Sequence, residues 1–155
     1  MTKVELDQLD LKILKMLSND ARRSLRDIAK ELGLSPATVH NRVRRLIEEG
    51  VIKSFSPIID YSKLGYDLTA LILLQAEGSH LVEVENEVAK LENTCAVYDI
   101  TGEFDIAVIA RFKSRDALNK FIKRLLKIPH VKRTSTSMVL NVVKEDFKLS
   151  LEEET

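Results

Sequence analysis

The run Ser35-Pro36-Ala37-Thr38-Val39-His40-Asn41-Arg42-Val43-Arg44-Arg45 gathers several kinds of hydrogen-bonding side chain into a short stretch. Asn pairs with adenine edges, Arg forks onto guanine or phosphate, and the methyls of Ala and Thr meet the methyl of thymine. With about 100° per residue, Val39, Val43, Leu46 and Ile47 form one stripe of a helix that starts at Pro36. Thr38, Asn41 and Arg45 then lie on the opposite side, Ala37 and Arg44 flank them, and His40 and Arg42 sit toward the edges. Helices that enter the major groove read bases mainly with their first turns, so Pro36 to Arg42 are the expected base readers. Arg26, Arg44, Arg45 and Lys53 are the expected phosphate contacts, and Ser35, which caps the helix, is counted with the face.

Such a face works only if other helices hold it out. Leu6, Leu9, Ile13, Leu14 and Leu17 recur at helical spacing, and Ser18-Asn19-Asp20 ends that helix. A second helix starts after Ser24, an N-cap with Asp27 at the capping-box position, and buries Leu25, Ile28, Ala29 and Leu32. Gly33 supplies the left-handed residue that ends it, and Gly33-Leu34-Ser35 is the turn into the third helix. Pro36 fits the first helical position, and Gly50 closes the helix. Three helices joined by such a turn make a helix-turn-helix of the winged-helix-like kind.

From Val51 the period changes. Val51 to Asp60 and Leu68 to Ala76 read as strands, Val82 to Leu91 as a helix, and Ala96 to Thr101 and Asp105 to Phe112 as strands around Gly102-Glu103-Phe104. Ser114 caps a helix to Leu126, and Val131 to Val143 reads as a long last strand. The order after residue 67 is β-α-β-β-α-β, a ferredoxin-like antiparallel sheet with helices on one face. The fold class is therefore α+β, with a helix-turn-helix domain at 1–51, a linking strand and hinge at 52–67, and a ferredoxin-like domain at 68–155.

The chain has 155 residues, 45% hydrophobic and 31% charged, a globular composition. No apolar run nears the roughly 20 residues that span a bilayer, and the charged start Met1 to Asp7 is not a secretory signal. The expectation is a cytoplasmic protein without membrane contact. The formal net charge is zero, which argues against indiscriminate polyanion binding. Basic residues nevertheless outnumber acids two to one between Arg22 and Lys53, while Glu152 to Glu154 make an acidic tail. The lone Cys95 reads as an apolar filler in a strand. His40, His80 and His130 lack metal-ligand spacing, and no phosphate-binding, zinc or nucleophile motif occurs, so no catalytic residue, metal or cofactor is expected.

Leu9-Asp10-Leu11-Lys12-Ile13-Leu14, Ile28-Ala29, Gly33-Leu34-Ser35, Val39, Arg42, Leu46, Gly50-Val51-Ile52 and Thr101-Gly102-Glu103-Phe104-Asp105 together resemble the Lrp/AsnC family of transcription factors. The resemblance runs over nearly the whole chain. It implies a regulator of transcription that binds double-stranded DNA and forms homodimers through the ferredoxin-like half, with the strand at about Ile52 to Asp60 pairing between subunits. It also implies assembly into tetramers, octamers or hexadecamers, an octamer being the expectation here, with an amino-acid effector bound between dimers. Carried onto this sequence, the effector site comprises Tyr98, Gly102, Asp105, Thr134, Ser135 and Thr136. A carboxylate such as Asp105 accepts from an α-ammonium group, and backbone N–H groups around Gly102 suit an α-carboxylate. Two other readings stand beside it. One is an architectural DNA-binding protein without an effector; the other is a sirohaem-decarboxylase-like enzyme, which resembles the family in both halves.

Overall fold

The computed structural model of the chain describes residues 3–151; Glu152 to Glu154 of the acidic tail lie outside the described residues. Two compact units result, one running to Ile58 and taking in the chain from Glu145, the other spanning Ile59–Lys144.

The first unit holds three helices, α1 (Gln8–Asn19), α2 (Leu25–Leu32) and α3 (Pro36–Glu48). Helix α1 starts two residues later than the apolar period suggests, because Asp7 caps it. The Asp7 carboxylate accepts from the Asp10 backbone N–H, and the Asp10 carboxylate accepts from the Asp7 N–H. This is a full capping box, which ties up two N–H groups that a helix end otherwise leaves unmade. Ser24 and Ser35 cap α2 and α3 as expected, accepting from the N–H groups of Asp27 and Thr38 at 3.1 Å each. At Ser24 the exchange is not a full box, because the Asp27 carboxylate accepts from the serine hydroxyl instead.

Gly33 has φ 67°, a conformation in which a Cβ would crowd the following carbonyl. It lets the Leu34 N–H fold back onto the Ala29 carbonyl at 2.8 Å, satisfying a carbonyl at the end of α2. Ile13, Leu17, Ile28, Ala29, Val39 and Val43 then close into one core. Leu46 is buried too, but Ile47, placed with it on the inner stripe, is 47% exposed. Its position, 80° round from Leu46's neighbour Val39, puts it off the contact line of a short three-helix unit.

The second unit is a four-stranded antiparallel sheet in the order β2-β3-β1-β4, with β1 (Leu68–Ala76), β2 (Thr94–Asp99), β3 (Ile106–Phe112) and β4 (Val131–Met138). Helices α4 (Leu81–Ala89) and α5 (Arg115–Leu125) complete the expected βαββαβ order. Ala70, Ile72, Leu74 and Ala76 alternate inward from β1 and meet Val84 and Val88 of α4 and Leu118, Phe121 and Leu125 of α5. Phe112 and Phe121 pack edge to face at 5.1 Å, within the range aromatic pairs favour.

Two expectations fail here and a third is not met within one chain, each for an identifiable reason. Val51 to Asp60 does not form a strand within the chain, since an extended segment becomes one only where a neighbouring backbone takes up its hydrogen bonds. The last strand ends at Met138 rather than Val143, because its partner β1 ends: Met138 faces Ala70, and the Val139 N–H makes a further bond to the Thr69 carbonyl. Cys95 is exposed, not a filler, at the point where the β2–β3 register shifts; a bulge turns its residue out of the ladder.

Ile28 is fully buried among α1 and α3 side chains. Ile28→Ala should therefore lower the stability of the first unit by about 2–5 kcal/mol, read as an earlier loss of helical circular dichroism in urea.

Candidate nucleic-acid interface

Helix α3 buries Val39, Val43 and Leu46. The arc farthest from them carries Ala37, Asn41 and Arg44, with His40 beside it, and all four are exposed. Pro36, Arg26 and Lys53 are exposed as well, whereas Thr38 is half-buried. The Ser35 and Thr38 hydroxyls lie 2.8 Å apart, so these two side chains spend their polar atoms largely on the helix start. The outward centre of α3 thus sits at Asn41, slightly round from the Thr38–Asn41–Arg45 line expected.

Arg42 and Arg45 do something the sequence reading did not assign them. Arg42 Nη1 donates to Asp7 Oδ2 at 2.6 Å and to Asp10 Oδ1 at 2.8 Å. Arg45 Nη2 donates to Asp10 Oδ2 at 2.5 Å. Asp10 is the one fully buried charged side chain among the described residues. A buried carboxylate is tolerated only when its lone pairs are filled by good donors, and here two guanidinium groups and the Asp7 N–H fill them. The sequence offered only two arginines one turn apart on α3 and an acid at the third position of α1, and their meeting depends on how the helices cross. The Asp10 N–H and the Arg42 guanidinium also hold the Asp7 carboxyl down at about 2, and both aspartates raise the Arg42 guanidinium above its usual range.

The other predicted set lies in the second unit. Gly102, with φ 124°, makes the β2–β3 turn. The Asp105 carboxylate already accepts from the Ala76 N–H at 2.9 Å, while the Asp105 N–H donates to the Leu74 carbonyl at 3.0 Å. Asp105 therefore laces the turn to the end of β1, and its carboxylate retains acceptor capacity for a further donor. Tyr98 is exposed on β2 opposite Ala107, on the face away from the helices. Ser135, opposite Leu73, shares that face, but Thr134 and Thr136, opposite Leu74 and Ile72, are turned to the other side. Alternation along a strand enforces the split. Strands β2 and β4 are also opposite edges of the sheet, about 14 Å apart at three strand spacings. Within one chain Tyr98 and the Thr134–Thr136 run are not brought together.

One group near the turn went unnoticed in the sequence. Arg133 Nε donates to Gln75 Oε1 at 3.1 Å, its Nη2 donates to the Glu103 carboxylate, and its guanidinium lies 4.7 Å from the Phe104 ring centre. Gln75 and Arg133 are register partners on β1 and β4, a pairing invisible until the strand order is known.

A model of the winged helix-turn-helix DNA-binding domain matches residues 6–53, and the Lrp/AsnC ligand-binding domain matches residues 69–149. The chain belongs to the Lrp/AsnC family of transcriptional regulators. It is 47% identical over 146 residues to an uncharacterised helix-turn-helix transcriptional regulator of Pyrococcus horikoshii, covering 94% of this chain and 99% of that one. The transcriptional regulator FL11 of the same organism is 41% identical over 149 residues, covering 96% and 99%. Among solved structures, AsnC of E. coli superposes with a TM-score of 0.85 at 27% identity, over 92% of this chain and 97% of that one. A transcriptional regulator of Neisseria meningitidis, solved with L-methionine, gives 0.85 at 25% identity over 95% and 97%. The protein is thus a DNA-binding transcriptional regulator with a ligand-binding second domain, in a family of regulators rather than enzymes. No helix among the described residues is long and apolar enough to cross a membrane.

Two outcomes follow from the Asp10 pairing. Arg42→Ala should lower the thermal midpoint through a loss of about 1–3 kcal/mol, whereas Asn41→Ala, on the exposed arc, should leave the midpoint unchanged; differential scanning calorimetry separates them. Because the folded Asp7 pKa lies below its ordinary 3.8, the ionised form is what folding favours, and its contribution holds above about pH 4 and is lost as pH falls toward 2. Asp7 is more than half exposed, so solvent screening keeps the effect small. In acid titration, Asp7→Asn should show a flatter loss of helical signal across that window.

Proposed function

We propose that the protein is a sequence-selective cytoplasmic regulator that reads double-stranded DNA with the exposed arc of α3 and is switched by an amino acid. The observation that carries the first part is the outward placement of Ala37, His40, Asn41 and Arg44 on a helix whose Arg42 and Arg45 are engaged in holding it. Asn41 is the lead base reader. Arg44, Arg26 and Lys53 hold phosphates, and Arg45, still 44% exposed, has donors left for the backbone. Arg42 acts mainly by fixing the angle of α3.

The amino-acid part rests on the methionine-bound relative and on the chemistry of the turn. Asp105 would accept from the α-ammonium, N–H groups around Gly102 would hold the α-carboxylate, and Tyr98 would flank the side chain. Ser135 shares the Tyr98 face at the far edge of the sheet, so it joins such a site only when a second copy brings it, whereas Thr134 and Thr136 point to the helix face. That requirement supports a homodimer and its further assembly, to an octamer. Phe55 (50% exposed), Ile58 (79%), Leu140 (98%) and Val143 (93%) add apolar surface of the kind that association covers. In this reading Ile52 to Asp60 becomes a strand by pairing between subunits. Residues 1–51 then serve as the DNA-binding domain, 52–67 as linker and 68–155 as the effector and assembly domain.

Footprinting on genomic fragments at one fixed salt concentration, with and without a panel of amino acids, tests this. The expected result is protection of paired half-sites about one helical turn apart, with one amino acid shifting the affinity about 5–150-fold. Equal affinity for every fragment would overturn selectivity in favour of an architectural role. Asp105→Asn, whose amide oxygen can still accept from Ala76, should retain DNA binding and lose the amino-acid response.

A further inference from the structure

Glu77, His80 and His130 come together at the end of β1, from places 50 residues apart in sequence. We propose that they form a binding site for a divalent transition-metal ion of the imidazole-preferring class, with Zn2+ as its representative. The site is independent of the amino-acid reading.

The backbone assembles it first. The chain leaves β1 at Glu77 and turns through the short 3-10 segment Gly78–His80 into α4, while His130 stands immediately before β4. The Glu77 N–H donates to the His130 carbonyl at 3.0 Å, and the His80 N–H donates to the Glu77 carbonyl at 2.9 Å. The two imidazole rings are stacked, centroids 3.5 Å apart and planes within 5°. One ligand-capable atom from each of the three residues lies within 4.8 Å of the other two.

The hydrogen bonds around the rings point the same way. His80 Nδ1 lies 3.2 Å from Glu83 Oε2, and His130 Nδ1 lies 3.0 Å from Glu77 Oε2. At His80 the Glu83 carboxylate favours the tautomer with its proton on Nδ1, which leaves the Nε2 lone pair for a metal. Carboxylate-to-histidine contacts of this kind orient the rings of metal-ligating histidines. At His130 the ion would take the place of the Nδ1 proton, where Glu77 Oε2 already stands 3.0 Å away and becomes a ligand itself. His130 is also the one non-glycine with positive φ among the described residues, at 69°. Such backbone strain gathers where a side chain must be held for a ligand.

Bond lengths are compatible. Zinc holds nitrogen at about 2.0–2.1 Å, so tetrahedral ligand atoms sit about 3.3 Å apart. Closing from at most 4.8 Å calls for side-chain rotation that also slides the stacked rings apart. The histidines are 39% and 31% exposed, which leaves water to complete the coordination. Two imidazoles and one carboxylate select Zn2+, Ni2+ or Cu2+ over Mg2+ or Ca2+, which take oxygen ligands. Bound metal would clip the start of β4 to the end of β1, where the register shifts between Gln75 and Ala76.

The test is calorimetric titration of the untagged, chelator-stripped full chain with ZnCl2, beside a His80→Gln/His130→Asn variant. Asn is chosen at 130 because it accepts the left-handed backbone. The wild type should bind one Zn2+ per chain saturably and show no saturation with MgCl2. The variant should bind at least about 100-fold more weakly. If the variant folds poorly, the wild type alone decides: on adding Zn2+ the ring NMR signals of His80 and His130 should shift while those of His40 stay in place. Absence of saturable binding, equal affinity in the variant, or ring signals of His80 and His130 that do not move would each overturn the proposal.

Discussion

The buried carboxylate of Asp10 is the constraint on which the DNA-binding half depends. A charge removed from water destabilises the fold unless donors converge on it, and the donors here are Arg42 and Arg45, both on α3. Their reach fixes the rotation of α3 about its own axis relative to α1. That rotation in turn decides which residues face outward. Asn41, Ala37 and Arg44 are presented because Arg42 and Arg45 are drawn inward, and Asp7 adds a second acceptor at the rim. The apolar contacts of Ile13, Ile28 and Val39 hold the helices together but are non-directional; the ion pairs add the angle. The same arginines already spend donors on Asp7 and Asp10, so fewer unengaged cations remain on α3 than the basic run suggests.

In the second half the governing constraint is the alternation of side chains along strands ordered β2-β3-β1-β4. It places Ala70, Ile72 and Leu74 under the helices and leaves Leu71, Leu73, Tyr98 and Ser135 on the other face. Asp105 binds the β2–β3 turn to β1 through two hydrogen bonds, so anything that engages this carboxylate acts on the central strand of the sheet. Along the same strand, Gln75 meets Arg133 and Glu77 meets His130. The end of β1 is therefore the place where the turn, the edge strand and the start of α4 are joined by polar contacts rather than by core packing.

Much was legible in the residue order because it is governed by local rules. Helical and strand periods located the five α-helices and four sheet strands of the described residues, and Ser24, Ser35 and Ser114 marked helix starts through contacts only three residues long. Gly33 announced its turn because few other residues adopt that backbone. The candidate DNA-reading face followed from the same arithmetic, out by a fraction of a turn. Where period alone did not suffice, the partner decided: Val51 to Asp60 has no strand neighbour among the described residues of one chain, and Ile47 falls beyond the reach of a three-helix core.

What the sequence determined by itself was thus the set of elements, their order and their polarity, since period, capping and turn chemistry act over a few residues. The tertiary structure decided which charged groups are spoken for. Nothing in the spacing of Asp10 from Arg42 and Arg45, or of Glu77 from His130, signals that they meet, because long-range pairing depends on how helices cross and which strands become neighbours. That is why the basic run divided into a positioning part and an exposed part, why Tyr98 and Thr134 to Thr136 fell on opposite edges of the sheet, and why two histidines with no metal-binding spacing ended ring against ring.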